Sequence, residues 1–418
     1  MQLPKILNTK ISNLSALIIG SGISQAIPII IAPLITRMFS PEEFGAFSLI
    51  ISCSMIFAVV ATGRFELAIA LPRREENAVN VTLIASIYSF FFFLISFVSL
   101  IFINKHEIAW HGKLYNLDFV YWVPLIGLIL GLYQIIYYFN IRIGRYSSLA
   151  KAKVMQSSSV AFSQLSLGLF KFSSLGLLLG QIVGLSFSLW YLVRSSDIRK
   201  HLTTNSQLPF RLWWLAKRYK KFPLILSPSH AIGAFSPLIP VLYVGIFYDT
   251  TAAGFIALVQ RVVGLPLVVI GGSFGDIFKQ KASEDYRVKG NCLEIYDTTL
   301  RQLVLISFLP FIIFYYLAPA LFPLIFGDQW AVAGEYAQLL IPMYFFRFVS
   351  SPLSFMYMVA EKQSHDFWLQ ITIVTVSVSS FLFTNSITSS LTIFSFSYSI
   401  IYIANIAITR HFSKGRDE

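Results

Sequence analysis

The chain has 418 residues, of which 56% are hydrophobic and 12% are charged, and its formal net charge is +12. A soluble domain carries about twice that fraction of charged residues, so the composition excludes an ordinary water-soluble fold. Apolar runs long enough to cross the hydrocarbon core of a bilayer recur from end to end, and lipid permits only helices at that depth in such a chain. The sequence therefore predicts an all-α integral membrane protein.

Taken in chain order, the apolar runs predict twelve transmembrane helices. They lie at about residues 13–36, 44–71, 78–103, 118–140, 150–170, 173–193, 224–248, 252–274, 299–321, 336–360, 365–383 and 388–409. No small-residue cleavage pattern follows the first run, so we interpret it as a membrane helix and not as a signal peptide. Cys53, in a predicted helix, and Cys292, in a predicted loop, do not indicate a disulfide.

The basic residues predict the orientation of the chain. With the N-terminus on the cytoplasmic side, cytoplasmic segments hold 25 of the 32 lysines and arginines, and the outer loops hold Arg37, Lys105, Lys113 and Lys171. Cytoplasmic loops of membrane proteins carry an excess of basic residues, so we predict that both termini are cytoplasmic. The net positive charge follows from this topology, and we expect no nucleic-acid partner.

The longest polar interruption follows the sixth span. Its residues 211–221 mix tryptophan and leucine with arginine and lysine, which is typical of a helix lying at a membrane surface. We therefore predict an N-terminal lobe at residues 1–200, a cytoplasmic amphipathic linker at residues 201–221 and a C-terminal lobe at residues 222–418, with six spans in each lobe.

The two predicted lobes show weak internal similarity. At an offset of 209 residues, Pro28 aligns with Pro237 and Gly63 aligns with Gly272. Six spans per lobe leave both lobes in the same orientation. We therefore predict two six-helix lobes that are related by a pseudo-two-fold axis along the membrane normal, with a cavity between them.

Arg64, Arg261 and Arg347 lie inside predicted spans. A guanidinium at the centre of a membrane helix costs about 2.5–3.5 kcal/mol on insertion scales, and arginine cannot lose its charge to avoid that cost. We therefore expect these side chains to face a hydrated interior and to meet an anion there.

Arg261 is the leading candidate for a substrate anchor, together with Gln260. It lies near the middle of its span, and Pro266 predicts a kink just beyond it. A structural ion pair, or an arginine that caps a free carbonyl, is the alternative. Arg347 follows three aromatic residues at positions 344–346, so cation–π packing inside the bundle competes with substrate binding there.

Arg64 and Glu66 form the sequence Gly63-Arg64-Phe65-Glu66. Residues two apart on a helix do not face each other, so we predict that these two do not pair and that each needs water or a partner on another helix. Alternatively, Arg64 reaches the inner interface. A carboxyl in a low-dielectric site readily exchanges a proton, which makes Glu66 the predicted ion-coupling residue.

Arg37 ends the first predicted span, immediately before the sequence Ser40-Pro41-Glu42-Glu43. A serine cap, a proline at the first position and two acids in the first turn predict a helix that begins at residue 41. Arg37 then lies either at the outer interface or in the lumen.

Signatures of soluble enzymes and metal sites are missing from the sequence. His106, Glu107, His111 and Asp118 cluster in the largest outer loop, but their spacing fits no metal site. We therefore predict no catalytic residue, no metal and no cofactor apart from a coupling ion.

Two segments together resemble the first two helices of bacterial polysaccharide (O-antigen) repeat-unit flippases. The segments are 36–45 (TRMFSPEEFG) and 61–72 (ATGRFELAIALP). Residues 219–223 (YKKFP), and then the stretch from Gln260 to Pro266, resemble the start of the second half in the same family. Arg64 and Glu66 match its Gly-Arg-(aromatic)-Glu motif, and Arg261 matches its arginine before a proline, whereas Arg347 matches no motif.

The resemblance implies the fold of the multidrug/oligosaccharidyl-lipid/polysaccharide exporter superfamily and an alternating-access cycle. The implied substrate is an undecaprenyl-diphosphate-linked oligosaccharide, moved from the inner to the outer leaflet of the bacterial cytoplasmic membrane. A proton or sodium ion is the implied coupling ion. We expect membrane lipids as partners, with polysaccharide polymerase and chain-length machinery as further partners.

Two other functions compete with this interpretation. A drug exporter of the same superfamily would favour acidic residues in its cavity because its substrates are mostly cations, but the sequence offers one intramembrane acid against three arginines. An integral-membrane polymerase usually carries a large folded outer loop, and here no outer loop much exceeds residues 104–117. The sequence therefore favours a flippase.

Overall fold

The computed structural model describes residues 3–105, 120–198, 209–384 and 386–415, and in these ranges the chain forms helices and no β-strand. The predicted outer-loop cluster at residues 106–118 and the first part of the predicted linker lie outside the described residues. The all-α membrane fold predicted from the sequence is confirmed.

Packing divides the chain into two compact units, Met1–Phe235 and Ser236–Glu418, called here the first unit and the second unit. This boundary falls inside the seventh predicted span. The predicted lobe boundaries and the predicted symmetry axis stay predictions.

The first unit contains nine α-helices in its described residues. They are α1 (Leu3–Met38), α2 (Pro41–Ala61), α3 (Phe65–Ala68), α4 (Glu75–Lys105), α5 (Trp122–Arg142), α6 (Tyr146–Leu169), α7 (Ser173–Ser195), α8 (Pro209–Arg218) and α9 (Ser227–Phe235). A short π-helix, Phe222–Leu226, precedes α9. The apolar core lies where α3, α4 and α5 meet, around Phe65, Ile69, Val79, Ile135 and Phe139.

The second unit begins with a 3₁₀ turn, Ser236–Leu238. Its α-helices are α10 (Ile239–Phe247), α11 (Thr250–Val263), α12 (Gly272–Lys289), α13 (Leu293–Phe326), α14 (Ala331–Leu353), α15 (Met356–Val359), α16 (Gln363–Leu382) and α17 (Ile387–Ser413). A second π-helix, Leu267–Gly271, joins α11 to α12.

Each of the twelve predicted spans coincides with a helix or with a chain of helical segments. Nine helices in the described chain are long and apolar enough to cross a membrane, and the bent pair of α11 with Leu267–Lys289 makes a tenth. The two remaining predicted spans are α6 and α16, which are helical but do not meet the same apolar criterion.

The amphipathic pattern after the sixth span forms helix α8. Its Leu215 is buried, whereas Trp213 and Trp214 are exposed. Arg211 holds the helix against the start of α4, since its guanidinium donates to Glu76 Oε2 at 2.8 Å and to Asn77 Oδ1 at 3.0 Å. An apolar inner side and an exposed aromatic and basic side are the features expected of a surface helix.

The first hairpins of the two units keep the same register at the offset of 209 residues. Helix α1 ends at Met38 and α10 ends at Phe247, and the following helices begin at Pro41 and Thr250. The caps occupy equivalent positions as well. Ser40 Oγ accepts from the backbone N–H of Glu43 at 3.2 Å, and Asp249 Oδ2 accepts from that of Ala252 at 3.1 Å. Glu43 completes the capping box predicted from the sequence, because its carboxylate accepts from Ser40 N–H at 2.8 Å.

Candidate functional site

The second predicted span is broken in the structure. Helix α2 ends at Ala61, and the backbone of both Gly63 and Arg64 has a φ angle of 55° before α3 begins at Phe65. A Cβ atom on Gly63 would lie 2.9 Å from the ring of Tyr88 and 3.2 Å from Pro223, so only glycine fits this position. Arg64 therefore lies between two helices and is not part of a continuous one.

The prediction that Arg64 and Glu66 do not pair is wrong. Arg64 Nη1 lies 3.0 Å from Glu66 Oε1, and the two side chains are 15% and 0% exposed. Residues two apart point away from each other only on a continuous helix. Here the backbone of Arg64 has a left-handed conformation, and Glu66 belongs to the first turn of a new helix. A break that the sequence did not predict therefore brings the two charges together.

The pair leaves two of its polar atoms open. Among the described residues, neither Arg64 Nε nor Glu66 Oε2 has a hydrogen-bond partner, although both atoms are buried. Half-buried His230 on α9 and Tyr138 on α5 are the electrostatic neighbours of the pair. A carboxylate with one oxygen open and a second titratable group nearby can accept a proton or a small cation.

Arg142 fixes the backbone that follows the pair. Its guanidinium donates to the carbonyl oxygens of Ile69 and Ala70 at 3.0 and 2.9 Å, and also to that of Pro72. These carbonyls have no helical partner because α3 is a single turn, so Arg142 satisfies the exposed end of the broken span.

In the second unit, Arg261 lies on the last turn of α11. The chain bends by 42° between α11 and the segment Leu267–Lys289, so the kink predicted at Pro266 is confirmed. Gln260 Nε2 donates to the Pro237 carbonyl at 3.2 Å and ties α11 to the 3₁₀ turn. Arg261 itself is half-buried and has no hydrogen bond or ion pair with any residue that the structure describes.

Arg347 on α14 is also half-buried and makes no hydrogen bond or ion pair within the described chain. Its electrostatic neighbours are Tyr344, Tyr398 and Tyr402. None of the cation–π contacts in the described residues involves Arg347. The predicted cation–π alternative is therefore not seen, and the arginine is surrounded by phenol groups.

Arg37, which the sequence placed either at the outer interface or in the lumen, is exposed in the last turn of α1. The structure thus joins Arg64 to Glu66 in the first unit and places Gln260, Arg261 and Arg347 in the second unit. His230 and the three tyrosines were missed by sequence reasoning. Tyr344 could have been found from its spacing, since it lies one helical turn before Arg347.

An apolar cleft of about 370 Å³ opens beside the kink in the second unit. It is lined by Val262, Val263, Pro266, Pro310, Phe311, Ile313, Phe314, Leu317 and Leu321. Two of the lining residues, Pro266 and Pro310, are prolines and donate no backbone hydrogen bond.

Comparison with protein families gives a match over residues 34–335 to the family described as polysaccharide biosynthesis protein. The chain belongs to this family. The match includes Arg64, Glu66, Gln260 and Arg261, whereas Arg347 lies beyond its end. No curated protein sequence matches the chain.

Solved structures of other proteins share the fold of this chain. An inward-facing multidrug resistance MATE family transporter of the MOP superfamily aligns with a TM-score of 0.72 and 14% identity, over 96% of this chain and 97% of that chain. The lipid II flippase MurJ in an inward closed conformation aligns with a TM-score of 0.73 and 12% identity, over 94% and 86%.

A MOP superfamily transporter from Pyrococcus furiosus aligns with a TM-score of 0.60 and 12% identity, over 96% of this chain and 95% of that chain. That transporter is described as having a binding pocket of reverse polarity. At these identities the likeness establishes the fold, so the chain is a multi-pass membrane protein with the helical fold of MOP superfamily transporters.

Proposed function

We propose that this protein is a flippase that carries undecaprenyl-diphosphate-linked oligosaccharide repeat units from the inner to the outer leaflet of the bacterial cytoplasmic membrane. It makes no covalent change to its substrate and works by alternating access. Both termini are cytoplasmic in this proposal. Membership of a polysaccharide biosynthesis family and a fold shared with a lipid II flippase support it.

The observation that carries the proposal is that Arg261 and Arg347 have no counter-charge among the described residues. Both lie within spans of the second unit, and neither meets a carboxylate among the described residues. Intramembrane charges are normally paired or lie at a substrate pathway. A diphosphate supplies the missing counter-charge, and the planar guanidinium matches phosphate oxygens with two parallel hydrogen bonds.

Glu66 is the proposed coupling residue. The second oxygen of its carboxylate is open, and a proton or sodium ion bound there would weaken its hold on Arg64. Binding of the coupling ion would thereby change the charge of the broken span in the first unit and favour one state of the cycle.

Export of cationic drugs is the alternative function. It would require an unpaired carboxylate in the spans to hold the substrate. Glu66 is the intramembrane acid that the sequence offers, and Arg64 already neutralises it. The charges of the described residues therefore favour an anionic substrate.

The test is complementation of a host from which the gene has been deleted, with the wild type and with Arg261→Ala. We expect Arg261→Ala to abolish surface glycan and to leave completed lipid-linked glycan on the inner leaflet. Arg261→Lys keeps the positive charge but loses the planar group that makes two parallel hydrogen bonds, so it should restore part of the export. Arg287→Ala, an exposed arginine at the end of α12, is the matched control and should export normally.

Normal surface glycan in the Arg261→Ala strain, at equal abundance of the protein in the membrane, would refute the proposal. Completed glycan on the outer leaflet of the deletion strain would show instead that the missing step is polymerisation.

A further inference from the structure

We propose that helix α8 is a docking surface for the anionic headgroups of phospholipids, and that lipids bound there stabilise the backbone break at Gly63 and Arg64. The proposed orientation of the chain places α8 at the inner leaflet. Docking of lipid on α8 goes beyond the proposed function and does not depend on the identity of the transported substrate. It gives the Arg64–Glu66 pair a dependence on the lipid around the protein.

The sequence around α8 is basic and contains no acid. Residues 198–248 include no aspartate or glutamate, and the stretch from Pro209 to Leu226 holds five basic residues. They are Arg211, Lys217, Arg218, Lys220 and Lys221. Arg211 is paired with Glu76 of α4 at 2.8 Å, whereas the other four are exposed. A cluster of exposed basic residues on an amphipathic helix attracts anionic lipids.

Two tryptophans on α8 carry these cations. Trp213 and Trp214 are 59% and 45% exposed. Lys217 Nζ lies 5.1 Å from the centroid of the Trp213 ring, and the guanidinium carbon of Arg218 lies 5.3 Å from that of Trp214. Indole rings favour the boundary between headgroups and acyl chains, so cations held against these rings lie at the depth of the lipid phosphates.

The exposed side of α8 is followed by an exposed apolar surface. Leu224 and Ile225, in the π-helix after α8, are 70% and 64% exposed. They belong to the run Phe222–Phe247, which is long and apolar enough to cross a membrane. A basic surface next to an apolar one fits a phospholipid, which has an anionic head and apolar chains. An acidic peptide would match the basic part alone.

The opposite side of α8 is fixed to the first unit. Leu215 and Tyr219 are 1% and 8% exposed, and they belong to the same buried cluster as Phe65 and Ile69 at the two ends of α3. Arg211 ties α8 to the start of α4, through its hydrogen bonds to Glu76 and to the next residue. Helix α8 is therefore packed against the chain that follows the break.

The segment after α8 also contacts the chain that precedes the break. Backbone hydrogen bonds run through the turn between α8 and the π-helix, so the two move together. A Cβ atom on Gly63 would lie 3.2 Å from Pro223 of the π-helix. Ser227 Oγ, at the start of α9, donates to the Val59 carbonyl at 3.3 Å. A lipid that binds this arrangement of α8 thereby stabilises the break between α2 and α3.

The first test measures lipid binding to the purified full chain in detergent by native mass spectrometry. Phosphatidylglycerol is compared with phosphatidylcholine that has the same acyl chains, and we expect the wild type to bind phosphatidylglycerol more tightly. Each basic residue near an anionic surface contributes about fivefold in affinity. Lys217→Gln/Arg218→Gln should therefore weaken binding of phosphatidylglycerol roughly tenfold to thirtyfold and leave binding of phosphatidylcholine unchanged.

Two controls separate the charge of α8 from other effects. Lys217→Arg/Arg218→Lys exchanges the two residues and keeps both charges, so it should bind phosphatidylglycerol like the wild type. Arg287→Gln/Lys289→Gln removes two exposed basic residues at the end of α12, which has no tryptophan and where Asp285 lies 3.1 Å from Lys289. This variant should keep most of the preference.

The second test follows amide hydrogen exchange at residues 59–66 in nanodiscs, detected by mass spectrometry. Addition of phosphatidylglycerol to phosphatidylcholine should slow exchange there severalfold in the wild type, because local opening of the break becomes rarer. Lys217→Gln/Arg218→Gln should show no such slowing, and Lys217→Arg/Arg218→Lys should show all of it.

Three results would overturn the proposal. Equal affinity of the wild type for the two lipids would leave the basic side of α8 to an acidic partner protein. A preference that persists in full in Lys217→Gln/Arg218→Gln would place the lipid elsewhere on the chain. Preferential binding with unchanged exchange at residues 59–66 would refute the stabilisation of the break. Export of the glycan is tested separately by Arg261→Ala, so the proposed function and the docking surface can fail independently.

Discussion

The two units hold their intramembrane cations in opposite ways. In the first unit, Arg64 is neutralised by Glu66 at 3.0 Å. In the second unit, Arg261 and Arg347 have no carboxylate partner in the described residues. A bound ion can compete with the arginine of a salt bridge for its carboxylate, whereas an unpaired arginine is available to bind an anionic ligand. Within the described residues, the two units therefore differ in whether their intramembrane cations have a counter-charge.

The backbone differs at the equivalent position as well. Gly63 has a left-handed conformation at the break between α2 and α3. Gly272, 209 residues later, begins α12 with ordinary helical angles and follows a π-helix. The hairpin that precedes the two positions keeps one register in both units. The two units therefore diverge at the break that precedes Arg64 and Glu66 in the first unit.

The largest effect should come from breaking the charge pair of the first unit. Glu66→Gln leaves a mostly buried guanidinium without a counter-charge, and removing one partner of a buried pair costs about 3–5 kcal/mol. We expect a large loss of thermal stability in detergent. The double variant Arg64→Gln/Glu66→Gln should recover much of that loss, since no charge then remains unpaired.

Transport by the same double variant provides the functional half of this test. If Glu66 couples export to an ion, the folded double variant should lose the dependence of export on the proton or sodium gradient. An unchanged ion dependence would remove Glu66 from the coupling mechanism and leave it a structural role.

The next effect concerns the two glycines. Gly63→Ala should destabilise the protein by about 1–2 kcal/mol from the left-handed backbone alone, and more if Tyr88 cannot move away. Gly272→Ala is the matched control in the second unit. No atom lies within 4 Å of its added Cβ, and alanine favours a helix. Equal losses of thermal stability in the two variants would show that the breaks are equivalent after all.

The helix caps should behave alike in both units. Ser40→Ala and Asp249→Ala each remove the side chain that accepts from the third residue of the following helix. Each should cost about 1 kcal/mol of stability, measured by the shift in thermal unfolding. A cost in one unit alone would contradict the equivalence of the two hairpins.

The smallest effect concerns the cysteine of the second unit. Burial, with the Asp285 carboxylate adding to it, raises the pKa of the Cys292 thiol from 9.0 to about 12. Because the thiolate is the reactive form, we expect no alkylation of Cys292 at neutral pH in the folded protein, and full alkylation after unfolding in detergent. The folded state retains this proton above pH 9 while the unfolded state loses it, so the contribution of Cys292 to stability should decline as pH rises beyond 9. Rapid labelling of folded protein at neutral pH would contradict the burial.

Part of the candidate site could be predicted from local patterns. The cap at Ser40 and the kink at Pro266 depend on short stretches of sequence, and the structure places both where the pattern indicates. The depth of Arg261 and Arg347 in the membrane stays a prediction. The pairing of Arg64 with Glu66 could not be predicted in this way. It depends on a backbone break at Gly63, beside which Tyr88 and Pro223 lie. Both residues are distant from Gly63 in sequence.

The sequence by itself determined that the chain is helical and membrane-spanning, because the length and apolarity of each run leave a bilayer segment no other way to satisfy its backbone. It also determined where positive charge enters the spans. Only the tertiary structure decided which of those charges are neutralised, since a guanidinium is paired or open according to the side chains that packing brings within about 4 Å. Packing gave Arg64 a carboxylate and surrounded Arg347 with tyrosines.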